Sequence, residues 1–287
     1  MPEMLSDVTA QPIMFVLLFA FVFGASIATG GGASYREFLL PGIPTQNALG
    51  ARAAATLMKS NAGHCDGANL AVVPIDAFDM AIVHRVFRSE LHNAPGLVRD
   101  VNAGDTKRSA IVGDHLNFIV AALHNHHAAE DELIWPKLHA RAPAQAAEIA
   151  RMEGQHRAIA DGVDRVQDVV ASWAVSADPR LAEQLIPAVE NMSAVVDEHL
   201  ADEELNIVPL INQHITSDEW QQAVARAAEF ISRKNLRLGL VLGGYVFDAA
   251  SASEGQRIMS DVPLPKRVLL QLLARPAFAK YRRKIYG

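Results

Sequence analysis

The feature that most constrains this chain is a pattern it states twice. His126 and Glu130 form one H-x-x-x-E motif and His199 and Glu203 form another, each with a proline ten residues after the histidine, Pro136 and Pro209. A lone histidine precedes each motif. His84 lies 42 residues before His126, and His156 lies 43 before His199; both are followed by arginine (Arg85, Arg157). This is an internal repeat of about 72 residues, and its shared elements are residue types that ligate metals.

Helix geometry explains why the spacing matters. Residues i and i+4 lie on one helix face, about 5–6 Å apart at Cβ. An H-x-x-x-E helix therefore aims an imidazole and a carboxylate at one point. Two such helices and two more carrying one histidine each would place four His and two Glu at the centre of a bundle. That set suits two metal ions, with imidazoles at the outer positions and carboxylates bridging. Imidazole with carboxylate favours iron, manganese or zinc over calcium or magnesium.

The register needs arbitration, because His127 and Asp131 form a competing H-x-x-x-D pair. At 3.6 residues per turn His124 and His127 point roughly 160° and 100° away from His126. The shared distance to proline selects His126 with Glu130. On this reading, changing His127 or Asp131 leaves bound metal in place. Glu153, about one turn before His156, reads as a solvated acid, with an extra ligand or a hydrogen-bond partner to His156 as the alternatives. Asp197, Glu198, Asp202 and Glu204 read as a solvated face. His115 lies three turns before His126 on the same stripe, as a core polar group or a gate.

Composition narrows the class. Half of the 287 residues are apolar and only 6% are aromatic, which favours packed helices over sheets. A net charge of −6 and the lack of a basic recognition motif give no reason to expect nucleic acid. The single cysteine, Cys65, excludes an internal disulfide framework and fits a reducing compartment. No phosphate-binding loop, dinucleotide fingerprint or nucleophile elbow is present.

Apolar periodicity predicts helices over residues 75–102, 106–140, 143–173 and 179–214. Pro95-Gly96 should bend or interrupt the first, and Pro187 should kink or break the fourth in its early turns. Thr216-Ser217-Asp218-Glu219 reads as a capping box opening a fifth helix. Further helices are predicted near 236–249 and 265–286, the last with a basic end. The expected fold is all-α: an up-down four-helix bundle at 75–214, a C-terminal helical extension at 215–287, a linker at 47–74 and an N-terminal apolar helix within residues 1–46. Residues 13–34 carry no charge and are long enough for a marginal membrane span.

The motifs resemble those of the hemerythrin-like, HHE cation-binding domain, over about residues 76–214, in the form found in actinobacterial members with C-terminal extensions. The resemblance implies that His84, His126, Glu130, His156, His199 and Glu203 ligate two non-haem iron ions and that O₂ or NO is the partner ligand. Two departures bear on this. The oxygen carriers of the family have a second histidine where this chain has Ala160, and they end on H-x-x-x-x-D rather than H-x-x-x-E. Four His with two Glu looks more like the branch linked to nitric oxide stress, iron-centre repair or iron and oxygen sensing. The first 46 residues, with FVLLFAFVFG and GGGASYREFLLPGI, look like the first membrane segment of an ABC-2 type transporter permease. The expectation is thus a gas-binding di-iron bundle on the cytoplasmic side, with residues 13–34 as a candidate anchor. The alternatives are an enzyme that reduces NO or peroxide or donates iron, and a zinc-binding or metal-free structural bundle.

Overall fold

A computed structural model of the protein describes residues 75–231, 236–260 and 264–287. The apolar N-terminal segment, the linker, His64 and Cys65 lie outside the described residues. Among the described residues every element is a helix. Four long helices form the core: α1 (Phe78–Arg99), α2 (Thr106–Leu133), α4 (Ala146–Ser176) and α5 (Pro179–Asn206). Short helices α3 (Trp135–Arg141) and α6 (Val208–His214) follow α2 and α5, and a 3-10 turn at Pro143–Gln145 leads into α4. Helix α1 packs on α5 and α2, and α4 packs on α2 and α5, so the four close into a ring. The short links between α1 and α2 and between α4 and α5 make those neighbours antiparallel.

Local chemistry sets the helix ends. Asp105 caps α2 by accepting from the Arg108 N–H, and Asp178 caps α5 by accepting from the Arg180 N–H, with Pro179 at the first helical position. Helix α4 stops where Ala177 turns left-handed (φ 48°). Two expected helices are divided. The span 106–140 breaks at Ile134 and the span 179–214 breaks at Ile207. The cause is the repeated proline, which has no N–H to donate: Pro136 and Pro209 each fall in the first turn of a new short helix. The Ile134 and Ile207 N–H groups still donate to the carbonyls of Glu130 and Glu203, so each ligand helix completes the turn holding its glutamate.

Pro95 and Pro187 do not interrupt α1 and α5. Pro187 is exposed, as is Glu183 one turn earlier, so a carbonyl that loses its donor there is accessible to water.

The interior has two apolar clusters. One runs along the bundle and includes Phe87, Leu91, Leu123, Ile159, Trp173, Val196 and Leu200. The other lies at the α3–α6 end and includes Met80, Ile134, Trp135, Met152, Ile207 and Trp220. On each long helix the motif residues fall between the two, for example His84 between Met80 and Phe87, and His156 between Met152 and Ile159.

The C-terminal helices lie against this bundle. Helix α7 (Ser217–Ala227) opens with the expected capping box, Thr216 with Glu219, and packs on α2. Helix α8 (Leu236–Ala249) packs on α1 and on α10 (Leu264–Tyr286), while α9 (Ala252–Ser260) lies between them in sequence. A buried polar knot ties α8 and α10 to the bundle. Glu90 accepts from Tyr245 at 3.1 Å and from Tyr286 at 2.6 Å, and its carboxylate lies 3.1 Å from His115 Nε2. His115 Nδ1 lies 3.1 Å from the Tyr281 hydroxyl. The expected stripe histidine is therefore a core polar group of this junction. No helix among the described residues is long and apolar enough to cross a membrane.

Burial pushes the Glu90 pKa up, and the bonds from His115 and Tyr286 outweigh it, leaving the carboxyl below its usual value. Such a group contributes stability above the ordinary carboxyl pKa and loses it as pH falls through the folded value. Glu90→Gln should therefore cost about 1–3 kcal/mol at pH 7. That cost should shrink on acidification below pH about 4, as denaturant titrations of both proteins at the two pH values would show.

Candidate metal centre

All six side chains expected from the repeat converge on one buried layer. Helix α1 supplies His84, α2 supplies His126 and Glu130, α4 supplies His156, and α5 supplies His199 and Glu203. His84 Nε2 is 3.3 Å from His126 Nε2, and His156 Nε2 is 3.2 Å from His199 Nε2. The carboxylates lie across these pairs. Glu130 is 3.3 Å from His126 Nε2 and 3.6 Å from His156 Nε2. Glu203 is 3.3 Å from His84 Nε2 and 3.7 Å from His199 Nε2. Each glutamate thus reaches one histidine of its own motif and the lone histidine of the other copy.

The outward ring nitrogens fix the orientation. His84 Nδ1–H donates to Glu204 at 2.8 Å, and His156 Nδ1–H donates to Asp131 at 2.7 Å. Glu204 and Asp131 both directly follow the motif glutamate. His199 Nδ1–H donates to Gln155 at 3.0 Å. A donor at Nδ1 leaves the Nε2 lone pair free to face inward, which is how histidine ligands are held in metal sites. The orienting acids are themselves held: Arg88 donates to Glu204 at 2.8 Å and Trp135 Nε1–H donates to Asp131 at 2.8 Å.

The electrostatics are those of a site short of positive charge. Burial, then the charge of Glu203, then that of Asp131, push the Glu130 carboxyl well above its usual range. Burial also raises Glu203, but His84 beside it more than reverses this and holds it low. The same pairing raises His84 against the opposing effect of burial. Burial and neighbouring imidazoles depress His126 to about 3 and His199 to about 4. Neutral imidazoles with free lone pairs and carboxylates crowded together are what a bound cation would stabilise. Glu130 Oε2, both carboxylate oxygens of Glu203 and His127 Nε2 are buried without a hydrogen-bond partner. This donor set fits a metal ion, and three groups bring their ligand atoms within 4.8 Å of one another: His127 with His156 and His199, His84 with His126 and Glu203, and His126 with His127 and Glu130.

Several readings change here. His127, expected to point away, is 5% exposed and stacks on His156 at a ring separation of 4.2 Å. A residue 100° round α2 from His126 does leave α1, but the neighbour it meets is α4. Glu204 and Asp131 orient histidines instead of forming a solvated face or standing apart. Only the doubled acid after each motif glutamate signalled this in the sequence. Glu153 lies 3.2 Å from His139 and does not join His156. His92 is exposed and pairs with Asp197.

A cleft of about 60 Å³ opens beside this layer, lined by His124, His127, Asp131, His156, Ala160 and Val163 among others. One water needs roughly 10–15 Å³ on the same measure, so a diatomic molecule has room there.

Residues 79–211 match the family described as Hemerythrin HHE cation binding domain. Over that span the chain is similar to hemerythrin-like domains. The match starts at the beginning of α1 and ends in α6, so it covers the four long helices and both motifs, and the His/Glu layer lies within it. No curated protein and no solved structure gives a significant match to the chain.

If Asp131 and Glu204 hold His156 and His84 in place, Asp131→Ala and Glu204→Ala should each weaken metal binding about 10–100-fold while leaving helix content unchanged. Competition against a chromophoric chelator, with circular dichroism alongside, would measure both.

Proposed function

We propose that the hemerythrin-like bundle holds a non-haem di-iron centre that binds O₂ or NO. In this reading His84, His126, Glu130, His156, His199 and Glu203 are ligands. The observation that carries it is the paired geometry: two facing Nε2 pairs, joined by two carboxylates that each reach one imidazole of either pair. Iron bound there would supply an open coordination position and one-electron chemistry. The chain's own residues do the rest. The imidazoles are turned inward by Glu204, Asp131 and Gln155, the carboxylates balance the charge, and two apolar clusters shut out bulk water.

The cleft at Ala160 supports gas binding over turnover of a larger substrate, because its volume suits a diatomic molecule. Ala160 stands where the family's oxygen carriers hold a further histidine, which favours sensing or stress response over simple oxygen carriage. Reduction of NO or peroxide is the competing reading, and steady-state consumption of either by the iron-loaded protein would favour it.

The deciding experiment measures iron and zinc per chain on the full-length protein, together with its absorption spectrum under air. Two irons with oxo-bridge charge-transfer bands are expected; zinc alone, or a folded protein that takes up no metal, would overturn the reading. Glu130→Ala and Glu203→Ala should each lose most of the bound iron with helix content retained, as elemental analysis and circular dichroism would report.

A further inference from the structure

Among the matched positions at which the two copies of the repeat differ, two bear on the same side of the centre. Directly after the motif histidine, the first copy has His127 and the second has Leu200. Four residues after the lone histidine, the first copy has Arg88 and the second has Ala160. Leu200 is fully buried in the apolar cluster, and Arg88 donates to the acid that orients His84. His127 and Ala160 instead meet at the cleft beside His156.

His127 has the marks of a ligand. It is buried, its Nε2 has no hydrogen-bond partner, and its ring packs against both His156 (4.2 Å, stacked) and His199 (4.9 Å, edge-on). Because stacked rings aim their in-plane lone pairs side by side, sharing an ion with His156 requires the His127 ring to turn. Its ligand atom lies within 4.8 Å of theirs. Three nitrogens on one ion, at metal–nitrogen distances of about 2.0–2.1 Å, stand roughly 3.0–3.6 Å apart. The gap to close is at most about 1–2 Å, and a turn of the His127 ring about its broad χ2 torsion is what would close it.

We infer that His127 is a further metal ligand, completing a three-imidazole seat with His156 and His199 opposite a seat made by His84, His126 and Glu203. This rests on the metal-centre reading above and extends it: the two ions are chemically unequal. Glu130 and Glu203 each reach one imidazole of either seat, so the seats differ by one imidazole: three histidines at the cleft against two opposite. The three-imidazole seat is also the one at the cleft, so an entering diatomic molecule meets that ion first.

The test uses cobalt(II) as probe on the full chain, comparing wild type with His127→Leu and His127→Phe. Leucine is what the second copy carries at this position, and phenylalanine keeps a ring against His156 without the nitrogen. His124→Ala, an exposed neighbour on the same cleft, is the control. Wild type and the control should bind two cobalt ions per chain. Both His127 variants should bind one with unchanged affinity and the other at least tenfold more weakly. Variants that bind both ions as wild type does would overturn the inference and leave the di-metal reading intact. A wild type that binds no metal would overturn that reading itself. Proton NMR of the cobalt-loaded wild type gives a readout that needs no variant: a hyperfine-shifted imidazole N–H should appear for His127 in addition to those of the other four histidines, and its absence from a fully loaded sample would sink the assignment.

Discussion

The structure depends on one constraint: a layer of ionisable side chains is buried between two apolar clusters. Glu203, His84 and His199 are wholly buried, and His127, Glu130 and His156 nearly so. A buried charge without a partner costs several kcal/mol, so such a layer survives only if its members satisfy one another or a bound cation does. The bundle is arranged to permit this. Each long helix contributes to the layer between apolar turns, and each motif helix ends one turn after its glutamate, where an isoleucine and a proline start a new direction. The carboxylates then cross between helices that the chain links only at a distance.

The layer is nearly symmetric because the sequence repeats, yet its two sides serve different ends. On the α1 side Arg88 pins Glu204, which pins His84, and Leu200 fills the space behind. On the α4 side an alanine leaves room, Asp131 is held by Trp135 in place of an arginine, and an imidazole occupies the site of the leucine. These differences between the copies give a closed face and an open one.

The convergence of the six repeat residues was legible in the sequence, because a spacing of four puts His126 with Glu130 and His199 with Glu203 on shared helix faces, and the matched separations of 42 and 43 residues single out His84 and His156. His127 was not, because a single helical wheel contains no neighbours. The angle between His126 and His127 was correct, but whether it led to solvent or to another helix depended on how α4 packs. Glu204 and Asp131 were hidden for a related reason. An acid beside a ligand looks like any solvated acid until the partner imidazole from the other copy is placed against it. The helix breaks at Ile134 and Ile207 were misjudged because apolar periodicity continues through them, while the missing proline donors do not. Pro187 went the other way: its lost bond faces water, so the helix tolerates it.

The knot around Glu90 has a consequence for how the chain assembles. Glu90 and Tyr286 are separated by 196 residues, and Arg108 also donates to the carbonyls of Lys284 and Ile285 at the far end of α10. During synthesis, which runs from the N-terminus, the four bundle helices leave the ribosome while Glu90 and His115 still lack these partners. Burial of the Glu90 carboxylate is thereby coupled to the docking of α10, the last helix of the chain.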